Sequence, residues 1–273
     1  MIPPPILSRP RLQASPGRLA FSTSPLSDVS RLLSIILAGF FVTLPSLAAA
    51  SLTVAAASDM AAAEHELTEG FHKTYPTDTV RFAFAASGAL AQQSANGARY
   101  DVFLSANEGF VDQLAATRKV LPDTVHVYAL GQLGILWRDG KTHKINDLTS
   151  DPVRLVAMAN PKIAPYGLAA RQTLETQGLW DSLRPKIVFG ENVRQALQMF
   201  DSGNADAVMT AYSLMTGRPG AAIIPEEWHK PIRQKAGIVA ASSAPDAARK
   251  FLAFLHGPEG ARILVHYGLK PVE

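Results

Sequence analysis

Two serines in this chain stand where a strand-like run gives way to helical spacing. Ser58 follows the apolar run 52–57, and Ser87 follows the alternating apolar residues of 80–84. The first N–H groups of a helix have no partner within the helix and carry the positive end of its dipole, so they bind oxyanions. A serine at such a junction can instead cap its own helix, and the sequence leaves both interpretations of Ser58 open.

Two later segments lie at the same kind of junction. One is the loop Asn160-Pro-Lys-Ile-Ala-Pro-Tyr-Gly167 and the other is Gly190-Glu-Asn-Val-Arg194, and each joins a predicted strand to a predicted helix. Open α/β sheets bind ligands outside the carboxyl ends of their strands. The four junctions therefore predict one cleft on which hydroxyl groups and helix N-termini converge, without an obligatory charged side chain.

The elements that would position these junctions alternate between strands and helices. The apolar patterns predict strands at 52–57, 80–84, 102–104, 155–158, 186–189 and 207–210. Helical spacing follows most of them, and this β-α-β rhythm occurs twice along the chain. The fold class predicted is α/β, with mostly parallel sheets flanked by helices.

Two β-rich stretches are suited to crossing between two lobes. Residues 125–137 are interrupted by two glycines, and residues 234–240 form a second such run. Two predicted helices at 245–256 and 258–267 would then return to the first lobe. The boundaries we expect are 51–130 plus 237–273 for lobe I and 131–236 for lobe II.

Composition excludes several classes of protein. The 273 residues include no cysteine and are 47% hydrophobic and 18% charged, which argues against a disordered chain, a disulfide scaffold or a thiol nucleophile. Four arginines and one aspartate of the first 50 residues account for the formal charge of +3, because the remainder has 22 basic and 22 acidic residues. Without a basic run, we expect no nucleic-acid partner.

Residues 1–50 have the layout of a signal peptide and leader. An apolar run at 32–44 follows Arg31 and precedes Ala48-Ala49-Ala50, which is typical of a secretory signal. The run is shorter than the roughly 20 residues that a membrane-spanning helix needs, although an uncleaved anchor is the alternative. We expect a soluble mature chain that begins near Ser51 in the periplasm, without a lipid anchor because no cysteine stands at the cleavage point.

Most enzyme motifs are absent from the sequence. It has no P-loop, no G-x-G-x-x-G and no G-x-S-x-G, and the mature part has no S-x-x-K. His65 and His72 do not have the spacing of a zinc protease and are interpreted as surface residues. The four cleft segments contain no histidine, and Glu191 is their only glutamate, which disfavours an enzyme.

Taken together, the four segments resemble the periplasmic molybdate-binding proteins of ABC transporters, which are type II periplasmic binding proteins. Two further motifs are similar to that family, Asp101-Val-Phe-Leu-Ser-Ala106 and Gly257-Pro-Glu-Gly-Ala-Arg-Ile-Leu264 followed by Tyr267-Gly268. The resemblance covers residues 51–273. It implies a two-lobed protein without a cofactor that captures molybdate, and tungstate similarly, and delivers it to a membrane permease. We expect a monomer.

The resemblance also implies a set of ligand residues. Ser58 and Ser87 would contribute their hydroxyls and backbone N–H groups, while Asp59, Tyr166 and Val193 would contribute backbone N–H groups. These residues would hold molybdenum only as its oxyanion. Some members of the family have a further ligand tyrosine near the position of Tyr212, but the register here fits the members that lack it.

Asp59 departs from the family, in which leucine or asparagine stands at this position. A carboxylate beside a dianion would repel it, so we expect the side chain to point away from the ligand or to weaken binding. Alternative functions are binding of another oxyanion, such as sulfate or thiosulfate, or of a small organic acid. An enzyme or a sensory domain on the same fold is a further alternative, and each would need groups that the sequence does not show.

Overall fold

The computed structural model describes residues 49–272. The apolar run 32–44 of the predicted signal peptide lies outside this range. Within residues 49–272, no helix combines the length and the apolar character that crossing a membrane requires.

Ten strands and eight α-helices are found in the described residues. The strands are β1 Ser51–Ala57, β2 Thr79–Ala85, β3 Val102–Ser105, β4 His126–Gly131, β5 Leu133–Trp137, β6 Val156–Ala159, β7 Ile187–Gly190, β8 Ala207–Ala211, β9 Ala222–Ile223 and β10 Ile232–Ile238. The helices are α1 Glu64–Thr74, α2 Ser87–Ala95, α3 Glu108–Ala116, α4 Pro165–Thr176, α5 Trp180–Leu183, α6 Val193–Asp201, α7 Pro245–His256 and α8 Pro258–His266. A 3₁₀ helix, Ser58–Ala63, joins β1 to α1.

The strands form two five-stranded sheets with the same plan. The order is β2-β1-β3-β10-β4 in the first sheet and β7-β6-β8-β5-β9 in the second. In each sheet four strands run in the same direction, and one strand, β10 in the first sheet and β5 in the second, pairs antiparallel with both of its neighbours. The predicted α/β class with two lobes of mostly parallel strands is confirmed, and each sheet is mixed because one crossing strand, β10 in the first sheet and β5 in the second, runs against the other four.

The chain changes sheets at two places. β4 ends at Gly131 in the first sheet and β5 begins at Leu133 in the second, so Gln132 lies at the first crossing. The second crossing precedes Ile232, which pairs with Gly131 in the first sheet. Residues 232–236, which the sequence pattern assigns to lobe II, therefore differ from that assignment and belong to the first sheet.

Alternation along the strands builds a core on each face of the first sheet. Val102 and Leu104 face one cluster of buried apolar residues, whereas Phe103 between them faces the other, as the period of two in a strand requires. Helices α1, α7 and α8 cover the first of these faces. There the ring of Phe251 packs edge-on against Phe71 at 5.5 Å between ring centroids, so the C-terminal helices return to the first lobe.

Candidate functional site

The strands that lead to the site end in register with their parallel partners. In the first sheet Ala57 of β1 pairs with Ala85 of β2, and each is the last residue of its strand. In the second sheet Ala159 pairs with Gly190 in the same way. All four junctions predicted from the sequence therefore begin at the carboxyl edge of a parallel pair, where ligands bind in open α/β sheets.

Side chains leave most of the first N–H groups of the helices after these strands uncapped, although the Gly88 N–H of α2 donates to the Ile163 carbonyl. The helices that begin at Ser58, Ser87 and Pro165 have no side-chain cap. At α6, the Oδ1 atom of Asn192 accepts from the N–H groups of Arg194 and Gln195, which leaves that of Val193 without a side-chain partner. Uncapped N–H groups together with the helix dipole form a ready anion site.

The two serine hydroxyls are buried and differ in their partners. Ser58 is the first residue of its 3₁₀ helix, and its Oγ atom has no hydrogen-bond partner, so the capping interpretation is wrong. The Oγ atom of Ser87 accepts from the Ala106 N–H at 3.0 Å, which leaves its own proton free to be donated. Because a buried hydroxyl without a partner is costly, Ser58 is a strong candidate for a ligand contact.

Ser58 lines a polar pocket of about 270 Å³ between the first lobe and the start of α6. Phe84 and Arg194 both line this pocket, and the Arg194 guanidinium lies over the Phe84 ring, 5.7 Å from its centre. Arg194 is exposed, so it places a positive charge at the surface of the pocket.

Direct hydrogen bonds join the two lobes around the predicted site. The Gly88 N–H donates to the carbonyl of Ile163 at 3.0 Å, and the Ser213 hydroxyl donates to the carbonyl of Asp59 at 2.7 Å. The Tyr166 hydroxyl donates to the Oδ2 atom of Asp59 at 3.0 Å. These contacts describe a closed cleft.

All five predicted site residues lie at this boundary between the lobes. They are almost completely buried, and the exposed fractions are 3% for Ser58, 1% for Asp59, 0% for Ser87, 2% for Tyr166 and 4% for Val193. Tyr212, which the sequence leaves out of the ligand set, is half-buried and its ring lies beside Gly268.

The Asp59 side chain takes part in a buried network near the first crossing. Its Oδ2 atom accepts hydrogen bonds from the Tyr166 hydroxyl and from the Gln234 side-chain amide, while Oδ1 has no partner. The Tyr128 hydroxyl donates to the Gln234 Oε1 atom at 2.9 Å. Burial raises the pKa of Asp59 to about 6, and the hydrogen bonds from Gln234 and Tyr166 partly oppose that rise.

Gln234 and Tyr128 are absent from the residues that the sequence pattern singles out. In β10, burial alternates so that Ile232, Gln234 and Ala236 are buried while Arg233 is exposed. A glutamine on the apolar face of a strand needs partners for its amide, so the alternation of β10 was the signal. A Cβ atom at Gly131 would overlap the Tyr166 hydroxyl, which explains why glycine stands at this crossing.

A family model for bacterial extracellular solute-binding proteins matches residues 52–270. The chain belongs to this family. The match covers both sheets and all four junctions of the site, so this solute-binding protein has its predicted cleft within the family's shared domain.

Individual relatives in this family include molybdate-binding proteins. The molybdate-binding protein ModA of Rhodobacter capsulatus is 33% identical over 195 residues, which are 70% of this chain and 77% of that protein. ModA of Azotobacter vinelandii is 30% identical over 230 residues, or 81% of this chain and 90% of the relative. The solved structure of the Azotobacter vinelandii periplasmic molybdate-binding protein matches with a TM-score of 0.76, at 30% identity, over 81% of this chain and 100% of that one.

These comparisons confirm the resemblance that the cleft segments suggest. They also confirm the two-lobed fold, and the relatives are binding proteins rather than enzymes. The comparisons do not identify which residues of this solute-binding protein contact the ligand. That assignment depends on the geometry of its own cleft.

Proposed function

We propose that this solute-binding protein captures molybdate between its two lobes and delivers it to the membrane permease of an ABC transporter. Tungstate would bind similarly. The observation that carries the proposal is the buried Ser58 hydroxyl without a partner, between uncapped helix N-termini at the boundary of the lobes. Relatives at 30–33% identity that are named molybdate-binding proteins support the same ligand.

The chemistry of the site suits a tetrahedral dianion. The donors are the hydroxyls of the two serines and the N–H groups of Ser58, Asp59, Ser87, Tyr166 and Val193. They are neutral, so they select by size and geometry rather than by charge. Each charge-assisted hydrogen bond contributes roughly 1.5–3 kcal/mol. About seven of them, less the cost of association and ordering, reach sub-micromolar affinity. Sulfate is smaller, so donors spaced for molybdate bond it poorly.

Export to the periplasm and a monomeric state are parts of the same proposal. The family is described as extracellular, and the sequence pattern of residues 1–50 predicts a signal peptide before Ser51. Mass spectrometry of the exported protein should find an N-terminus near Ser51, and sedimentation should give the mass of one chain. A membrane-bound form that retains residues 32–44 would contradict the proposal.

Calorimetric titration with molybdate, tungstate and sulfate tests the ligand directly. We expect sub-micromolar binding of molybdate and tungstate and much weaker binding of sulfate. If sulfate binds as tightly as molybdate, the selection by size is wrong and the protein is a general oxyanion binder.

Serine variants test the site. Ser58→Ala or Ser87→Ala should each weaken molybdate binding roughly ten- to a hundred-fold, because each removes one hydroxyl bond to a dianion. Ser94 is a matched control, since it is buried in the same helix as Ser87 and its hydroxyl also lacks a partner. Ser94→Ala should leave the affinity unchanged. Undiminished affinity in the double variant of Ser58 and Ser87 would show that the site is elsewhere.

A further inference from the structure

A cation–π contact joins the two lobes at the pocket that Ser58 lines. The Arg194 guanidinium of α6, in the second lobe, lies over the Phe84 ring of β2, in the first lobe, 5.7 Å from its centre. Both residues line that pocket together with Ser58. Neither of them belongs to the proposed set of ligand residues, so the proposed function leaves this contact without a role.

The pocket leads from the protein surface to Ser58. Arg194 and Gln198 are exposed, Phe84 is half-buried and Ser58 is 3% exposed. The residues that line it are Ser58, Phe84, Asn192, Arg194, Gln195 and Gln198. Arg194 therefore carries the only charge in this lining, and an anion that leaves Ser58 through the pocket passes the Arg194–Phe84 contact.

Each lobe holds its own partner of the contact in place. The Phe84 ring stacks parallel to that of Phe82 at 5.5 Å between ring centroids, and Phe82 packs edge-on against Phe251 in the core of the first lobe. In the second lobe, the Asn192 Oδ1 atom accepts from the backbone N–H of Arg194 and so fixes the start of α6. No ion pair with a residue that the structure describes draws the Arg194 guanidinium away from the ring.

We propose that Arg194 and Phe84 form a latch between the lobes, which closes this pocket over the bound anion and sets the rate at which the anion leaves. The inference rests on the proposed function, because the anion that the latch retains is the one bound at Ser58. Since the two residues belong to different lobes, separation of the lobes breaks their contact. A contact made only in the closed state favours that state by its own free energy, so its loss should appear mainly in the release rate.

Arginine is suited to this position for two reasons. Its guanidinium is planar and weakly hydrated, so it stacks on an aromatic ring while it keeps its charge. That charge also attracts a dianion towards the pocket. The same side chain thus favours entry of the anion and then retains it, while the neutral donors around Ser58 select the anion by size.

Release of radiolabelled molybdate from the exported protein into an excess of unlabelled molybdate measures the latch. Phe84→Leu removes the aromatic face and keeps the positive charge. It should raise the release rate about two- to fivefold, which is the factor that an exposed cation–π contact contributes. Arg194→Gln removes both the contact and the charge, so its release rate should rise at least as much. The double variant should release molybdate no faster than Arg194→Gln alone, because both changes break the same contact.

Arg171→Gln is the matched control. The Arg171 guanidinium lies over the Trp180 ring, 5.1 Å from its centre, but both of these residues belong to the second lobe. The variant loses the same charge and the same kind of contact, so it should retain the release rate of the wild type. Equal acceleration by Arg171→Gln would overturn the latch. So would effects of Phe84→Leu and Arg194→Gln that multiply in the double variant.

Small-angle X-ray scattering of the ligand-free proteins gives a second test, which does not need molybdate. Arg194 is exposed, so Arg194→Gln should fold even if Phe84→Leu does not. Its radius of gyration should exceed that of the wild type and of Arg171→Gln, since the open form gains population. Unchanged release of molybdate from both latch variants overturns the latch and leaves the proposed function intact. If the wild type binds no molybdate, the proposed function fails, and an unchanged radius of gyration then overturns the latch as well.

Discussion

Asp59 should make the free energy of unfolding fall as the pH rises. Its pKa is raised from 3.8 to about 6 in the folded protein, so the folded state holds a proton that the unfolded chain releases at lower pH. A raised folded pKa contributes stability that is fully present below the unfolded pKa. That contribution is lost as the pH rises through the folded pKa, which places the loss between about pH 4 and pH 7.

The size of the effect follows from the two pKa values. A rise of roughly two units in a fully buried group corresponds to about 3 kcal/mol. Linkage then gives a loss of about 1.4 kcal/mol between pH 5 and pH 8, and the remainder lies between pH 5 and the acid limit. Other groups also titrate in this range, so the wild type alone does not isolate the contribution of Asp59.

Urea denaturation of the wild type and Asp59→Asn at pH 5, 6 and 8 isolates it. The difference in unfolding free energy between the two proteins should change by about 1.4 kcal/mol in favour of the variant from pH 5 to pH 8. A difference that stays constant over this range would refute the interpretation of Asp59 as a buried group with a raised pKa.

Three further predictions concern other parts of the fold. Gly131→Ala should cost about 1–3 kcal/mol of stability in urea denaturation, because its Cβ would overlap the Tyr166 hydroxyl, and the cost should be smaller when Tyr166→Phe is also present. Burial and the neighbouring His256 lower the pKa of His126 to about 4, so stability should be lost as the pH falls below 6.5, and His126→Gln should make the decline in urea midpoint between pH 7.5 and 5 shallower. Asp101→Ala should cost about 2–4 kcal/mol in thermal unfolding, since its carboxylate accepts from Thr53, Ser242 and Ser243; an equal loss for the exposed Asp123→Ala would contradict this reasoning.

Helices with clear apolar spacing were predictable from the sequence almost to the residue. The pattern predicts a helix over 245–256, which is the range of α7, and one over 193–202, where α6 ends at Asp201. Local periodicity suffices in these cases because the apolar residues on the buried face of a helix recur three and four positions apart. The partner strands of the second crossing strand were not predictable in this way. Ile232 stands alone between Pro231 and Arg233, and its partner Gly131 is far away in the chain.

The candidate site was also predictable only in part. Ser58 and Ser87 were found because each marks a change from strand to helix, which is a local signal. The direction of the Tyr166 side chain was not, since the resemblance implies only its backbone N–H. Its hydroxyl reaches Asp59 because Gly131, from a distant strand, leaves space for it. Contacts between lobes depend on tertiary packing that no local pattern contains.

The position of β10 has a consequence for the growing chain. β10 lies between β3 and β4 in the first sheet, and it is the strand partner of β4 there. A polypeptide that emerges N-terminus first can therefore assemble the second sheet, which ends with Ile223, while the first sheet is still divided. A product that stops after residue 231 would leave β3 and β4 with unpaired edges, and such edges are templates for aggregation. The first lobe, which the chain begins first, can therefore complete its sheet only after the last forty or so residues have been synthesised.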